Sequence, residues 1–194
     1  RVAMSRRKLW QLSAVAMMLA ACREAPRTPP QHASSQDGYR QPERLIAALA
    51  LRPGDTVADI GAGGGYLTPH LAKAVGPGGH VVATEIDPSA LAALRERVRG
   101  LAQVEARLVS ADASGLEAAR FDLVLLAQVD HLLADPAAYL RQLKPALRPG
   151  GRVVITNRED RLAAAQAAAT SAGFHVEVVA AGLPAQFLLR LQGE

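Results

Sequence analysis

From Pro42 onward, apolar runs of strand length alternate with helix-length amphipathic segments, the pattern of a parallel sheet with helices on both of its faces. The apolar runs predict strands near 56–60, 80–85, 104–109, 121–127, 152–156, 174–180 and 186–191. Between them, apolar residues recurring at helical spacing predict helices near 42–50, 65–75, 88–99, 136–147 and 160–172. Pro-Gly and Gly-Gly pairs at 53–54, 77–79 and 149–151 mark turns. Only the short "AGLP" separates the last two strands, so they are expected to form an antiparallel hairpin. The fold class expected is α/β: a doubly wound, mostly parallel seven-stranded sheet with helices on both faces and an antiparallel C-terminal hairpin, built as one domain over 41–194.

The pattern differs before residue 41. The apolar run from Leu9 to Ala21 follows Arg6, Arg7 and Lys8 and is too short to span a bilayer, which takes roughly 20 apolar residues. It reads as a secretory signal over 1–21, with Met4 the expected start. Leu19-Ala20-Ala21-Cys22 resembles the lipobox of bacterial lipoproteins, which implies a lipid anchor through Cys22 and a domain on the periplasmic side of the cell envelope. Ser5-Arg6-Arg7-Lys8-Leu9 resembles a twin-arginine export signal. The alternatives are a buried apolar helix with a chance cysteine, and a cytoplasmic protein if the signal is not used. Residues 22–40, rich in Pro and Ser with no apolar period, read as a flexible tether, and His32 belongs to it.

Charge narrows the function. Of the 22 Lys and Arg residues, 4 lie within the signal, so the rest of the chain balances its 18 acids. No basic cluster argues for nucleic acid as a partner. Cys22 is the only cysteine, which excludes a disulfide, a Cys-ligated zinc and a thiol nucleophile from the domain. His70, His80 and His175 have no mutual spacing that suggests a metal.

The candidate chemistry begins at "VADIGAGGG", residues 57–65, a short apolar strand running into four glycines. Ligands of doubly wound sheets bind at the carboxyl ends of strands. Gly61, Gly63 and Gly65 permit a tight turn and close approach of backbone to a ligand. A dinucleotide fingerprint would need glycine where Tyr66 stands, and Asp59 would repel a pyrophosphate. A carboxylate there suits an amine, such as that of S-adenosylmethionine. Glu85 ends the next strand, 20 residues after Gly65, where an acid can accept from ribose hydroxyls. Asp87 competes for that role, although Asp87-Pro88 also reads as a helix cap. Asp112 in "VSADAS" stands where a carboxylate could meet an adenine amino group, or cap a short turn.

In combination these segments resemble the class I S-adenosylmethionine-dependent methyltransferases over nearly all of 42–194. "VADIGAGGG" is similar to the family's first motif and "VVATEIDPSALAAL" to its second. "SADASGLEAARFDLVLL" is similar to the adenine strand and the one after it, and "LKPALRPGGRVVITN" to the entry into strand five. The resemblance implies a Rossmann-like fold with S-adenosylmethionine as cofactor. Asp59 with Gly61, Ala62, Gly63 and Gly65 would hold the methionine end, Glu85 the ribose, and Asp112 with Ala113 the adenine; Ile86 and Gln128 complete the cofactor set. The methyl group would emerge beside "LAQVDHLLADP", whose Gln128, Asp130 and His131 form the candidate acceptor loop. His131 is the candidate catalytic base, with helix capping as its other reading. "AQVD" lacks the Asn or Asp, paired prolines and aromatic of amino-group methyltransferases, and no insertion supplies a lid. The expected function is methyl transfer to a small-molecule acceptor; the alternative is a non-catalytic binding module of the same fold.

Overall fold

The computed structural model of the chain describes residues 41–193; the signal, the tether, His32 and Cys22 lie outside the described residues. Seven strands, β1 (Thr56–Ile60), β2 (His80–Glu85), β3 (Val104–Leu108), β4 (Phe121–Ala127), β5 (Leu147–Arg158), β6 (Phe174–Val178) and β7 (Gln186–Gly193), make one sheet in the order β3-β2-β1-β4-β5-β7-β6. The first five pair in parallel, and β7 runs antiparallel to both β5 and β6. The winding direction reverses between β1 and β4. A crevice therefore opens there at the carboxyl ends of the strands, where ligands of such sheets bind.

Five helices are described: α1 (Pro42–Leu49), α2 (Thr68–Val75), α3 (Pro88–Arg97), α4 (Pro136–Leu143) and α5 (Leu162–Ser171). Alternate residues of one strand serve opposite faces of the sheet. Val124 and Leu126 of β4 pack with Tyr139, Leu140 and Leu143 of α4 and Ala165 and Ala169 of α5. Leu123 and Leu125 pack with Leu45 and Leu49 of α1 and Leu71 and Val75 of α2. Both faces being covered, β1 is buried from end to end, which is why it reads as a continuous apolar run. Asp87 caps α3 by accepting from the Ser89 amide at 2.8 Å, and Asp135 caps α4 by accepting from the Ala138 amide at 2.8 Å. A proline follows each cap at the first helical position.

The structure departs from the expected boundaries by more than two residues in three places. α2 begins at Thr68 rather than at 65, because Gly61, Gly63 and Gly65 take φ of 63°, 56° and 77°, outside the right-handed helical region. α4 ends at Leu143 and gives way to a 3₁₀ turn over Lys144–Ala146, since Pro145 lacks the amide hydrogen that a continuing helix requires. β5 begins at Leu147, ahead of the expected 152. Leu147 pairs with Phe121 and Arg152 with Leu123, so Pro149-Gly150-Gly151 is absorbed as a bulge within the strand instead of ending it. No helix of the described residues is long and apolar enough to cross a membrane.

Candidate active site

A cleft of about 420 Å3 lies beyond the carboxyl ends of β1, β2 and β4. Its walls include Gly61, Glu85, Ile86, Asp112, Leu133 and Tyr139. Gly61, Glu85, Ile86 and Asp112 are four of the residues expected at the cofactor. Ala113 lies beside Asp112 and donates its amide to the Ser110 carbonyl in the turn that carries it. Asp59, Ala62, Gly63, Gly65, Gln128 and His131 stand off the walls of this cleft.

Glu85 is 7% exposed and binds three backbone amides. Its Oε1 accepts from Ile86 and Asp87 at 2.7 and 2.9 Å, and its Oε2 accepts from Gly63 at 2.7 Å. A carboxylate offers about four acceptor positions, so this one ties the glycine loop to the end of β2 with one position to spare for a ligand. Beside it in the cleft wall, the Thr84 hydroxyl is buried and has no partner among the described residues. Buried polar groups ordinarily find a partner. A ribose, whose hydroxyls both donate and accept, meets both requirements.

The three glycines do different things. A β-carbon at Gly61 would sit 2.8 Å from Val129 Cγ2, and one at Gly65 would sit 2.6 Å from Leu94 Cδ1. At Gly63 it would meet nothing within 4 Å. Gly61 thus lets the loop pass the end of β4, Gly65 lets it lie against α3, and Gly63 is the one that leaves open space.

Below the loop, Asp59 is 3% exposed and accepts from Thr68 Oγ1 at 2.8 Å. Burial pushes its carboxyl up to about 6; the Thr68 hydroxyl works against that shift and the charge of Glu85 adds to it. The neighbours that set its ionisation include no cation. A ligand ammonium reaching this carboxyl would supply the missing countercharge.

Asp112 rides on a segment, 109–120, that contains no helix. Arg107 of β3 fixes it from below. Its guanidinium donates to the Gly115 carbonyl at 2.8 Å, to Glu117 at 2.7 Å and to Glu105 at 2.5 and 2.8 Å. The Arg107 hydrogen bond is the main reason that the Glu117 carboxyl is held down at about 2. At the rim, Ile86 and Leu132 are 56% and 73% exposed and both line the cleft. They offer apolar surface to a flat heterocycle.

The acceptor loop lies at the ends of β4 and β5. Gln128 takes a left-handed φ of 61° and donates its amide to the Thr156 carbonyl at 2.8 Å. Its side chain borders a small recess with Leu45, Leu67, Thr156 and Gln186, not the main cleft. Asp130 and His131 form one 3₁₀ turn with Leu132. His131 borders a separate pocket of about 80 Å3 on the α4–α5 side, together with Leu140, Ile155 and Arg161. Asn157 joins the two residues: Nδ2 donates to Asp130 Oδ1 at 2.7 Å and lies 2.9 Å from His131 Nδ1. Sequence reasoning missed Asn157, Thr68, Thr84, Tyr139 and Leu132. Only Thr68, a hydroxyl one turn beyond the glycines, carried any signal. No group of three or more His, Cys, Asp or Glu among the described residues could hold a metal.

Comparison with known proteins agrees with this geometry. Residues 58–153 match the family model described as a methyltransferase domain. A ubiquinone/menaquinone biosynthesis C-methyltransferase of Burkholderia vietnamiensis is 38% identical over 112 residues, 57% of this chain and 46% of the relative. A nocamycin O-methyltransferase of Saccharothrix syringae is 35% identical over 115 residues, 58% of this chain and 41% of the relative. The chain thus matches less than half the length of these curated relatives. A S-adenosylmethionine-dependent methyltransferase of Aquifex aeolicus superposes with a TM-score of 0.76 at 23% identity, over 85% of this chain and 98% of that one. That likeness establishes a Rossmann-like methyltransferase fold.

Proposed function

We propose that the chain, whose residues 58–153 match a methyltransferase domain and whose fold is shared with a S-adenosylmethionine-dependent methyltransferase, transfers the methyl group of that cofactor to a small-molecule acceptor at the cell envelope. The observation that carries this reading is the placement of two acids, Glu85 and Asp112, in the wall of one crevice, with a third, Asp59, buried beneath the glycine loop beside it. Asp59 lies at the end of β1, Glu85 at the end of β2 and Asp112 in the loop after β3. In this reading Asp59 neutralises the ammonium of the methionine moiety, Glu85 and Thr84 hold the ribose, and Asp112 receives the adenine between Ile86 and Leu132. The methyl carbon is already activated by the sulfonium. The remaining task of the chain is to set a nucleophile in line with it, which is a matter of position before it is one of proton transfer.

The acceptor edge supports a small molecule, since the recesses beside His131 and Gln128 are small, about 80 and 10 Å3, and among the described residues no inserted domain follows any strand. The relatives named for C- and O-methylation make carbon and oxygen nucleophiles the first to try. The basic stretch Arg6-Arg7-Lys8, the apolar run after it and Cys22 support export and a lipid anchor. Methyl transfer from labelled cofactor to quinone-like, phenolic, thiol and carboxylic acceptors tests the activity. Transfer to at least one is expected; cofactor bound with none methylated would favour a binding module.

A further inference from the structure

Asn157 sits 3% exposed near the end of β5, and Asp130 beside it is 6% exposed. Three contacts fix how the Asn157 amide is turned. Its Oδ1 accepts the Arg158 amide at 2.8 Å, one hydrogen of Nδ2 goes to Asp130 Oδ1 at 2.7 Å, and Nδ2 lies 2.9 Å from His131 Nδ1. A flipped amide would set oxygen against Asp130 Oδ1 and an NH2 group against the Arg158 N–H, leaving buried groups unpaired. With Nδ2 toward the ring, His131 Nδ1 can only accept. A neutral imidazole has one donor and one acceptor nitrogen, so its proton sits on Nε2.

We propose that Asn157 is a positioning residue that holds His131 as an Nε2–H hydrogen-bond donor, so that the ligand group His131 meets is a hydrogen-bond acceptor, a carbonyl or carboxylate oxygen. The lock stands on the three contacts alone; its part in orienting a methyl acceptor rests on the function proposed above. The chemical consequence is specific. One ring nitrogen already carries a proton and the other is covered by Asn157, so His131 takes no proton from a nucleophile, and an acceptor molecule that reaches it is held through Nε2–H. The nucleophile must then arrive already ionised, or release its proton to solvent. This gives His131 a different role from the base that its sequence position suggested.

Long-range 15N–1H correlation spectra of the whole described domain, at a pH where the ring is neutral, report which nitrogen carries the proton. The His131 resonance is identified by its loss in His131→Gln. Wild-type protein is expected to show Nε2–H, and folded Asn157→Ala to show a mixture of both tautomers. A proton on Nδ1 in the wild type, which needs no variant, would overturn the proposal, as would an unchanged tautomer in folded Asn157→Ala. With any acceptor that the wild type methylates, His131→Ala is expected to act mainly on KM. A fall in kcat of ~100-fold or more at unchanged KM, the loss expected of a general base, would overturn the donor role. Wild-type protein that shows Nε2–H but binds no S-adenosylhomocysteine would sink the methyltransferase reading and leave the tautomer lock standing.

Discussion

The amide of Gly63 donates to Glu85 Oε2 at 2.7 Å, joining the loop after β1 to the end of β2 through the acid that faces the cleft. Glu85 therefore shapes the site as well as lining the cleft in which the ligand is proposed to bind. Glu85→Ala leaves three backbone amides without their acceptor and removes the proposed ribose partner. With hydrogen bonds to a charged group worth about 1.5–3 kcal/mol each, affinity for S-adenosylhomocysteine is expected to fall on the order of 100-fold, with a lower melting temperature. Calorimetric titration and a thermal melt check both. Unchanged affinity would remove Glu85 from the site.

Asp59 predicts a gain in stability from a loss of function. Its carboxyl ordinarily titrates near 3.8, and burial raises it to about 6 in the fold. Between those values the folded protein holds more protons than the unfolded chain, so the stability contributed by Asp59 falls as pH rises from about 4 to 6 and stays lost above. Asp59→Asn keeps an oxygen for the Thr68 hydroxyl and carries no charge. At pH 7.5 it is expected to be more stable than wild type without ligand by up to about 3 kcal/mol, with the advantage gone near pH 4, and to bind S-adenosylhomocysteine more weakly. Urea melts at the two pH values decide. A variant no more stable at pH 7.5 than at pH 4, relative to wild type, would contradict the buried-charge account.

Gly65 and Gly63 should separate stability from binding. Both need a left-handed backbone, which costs a residue with a β-carbon roughly 1–2 kcal/mol. Gly65→Ala adds a clash with Leu94 Cδ1, and overpacking costs about 1–3 kcal/mol more. Gly63→Ala meets open space, so its larger effect is expected on the cofactor. Melting temperatures and titrations of the two variants check the order. A larger stability loss at Gly63 would reverse the assigned roles.

For the envelope proposal, Arg6→Lys with Arg7→Lys is expected to reduce the protein recovered from the envelope, and Cys22→Ser to abolish incorporation of a radiolabelled fatty acid. Fractionation and labelling of cells expressing each variant measure this. Labelling that survives Cys22→Ser would place the lipid elsewhere.

Much of the sheet is readable from the chain because buried parallel strands are near-continuous apolar runs. "TVADI" and "FDLVLLA" become β1 and β4 with the expected ends, and Asp87-Pro88 caps its helix as expected. The early start of β5 is hidden because Pro-Gly-Gly chemistry is the same in a bulge as in a turn. Glu85 and Asp112 were readable as cleft acids from their place after strands. The seclusion of Asp59 beneath the glycine loop was not, since depth depends on Thr68 and α2 closing over it. Asn157 was invisible for a related reason: 26 residues separate it from His131, and only the β4–β5 pairing brings them together.

The proposed function requires the crevice between Glu85 and Asp112 to take S-adenosylmethionine. Calorimetric titration of the folded protein with S-adenosylhomocysteine at pH 7.5 decides whether it does. One ligand per chain is expected, with affinity that weakens as the pH is lowered through about 6, where the Asp59 carboxyl gains its proton and its hold on the ammonium is lost. Folded protein that gives no binding, or binding untouched by Asp59→Asn and Glu85→Ala together, would contradict it.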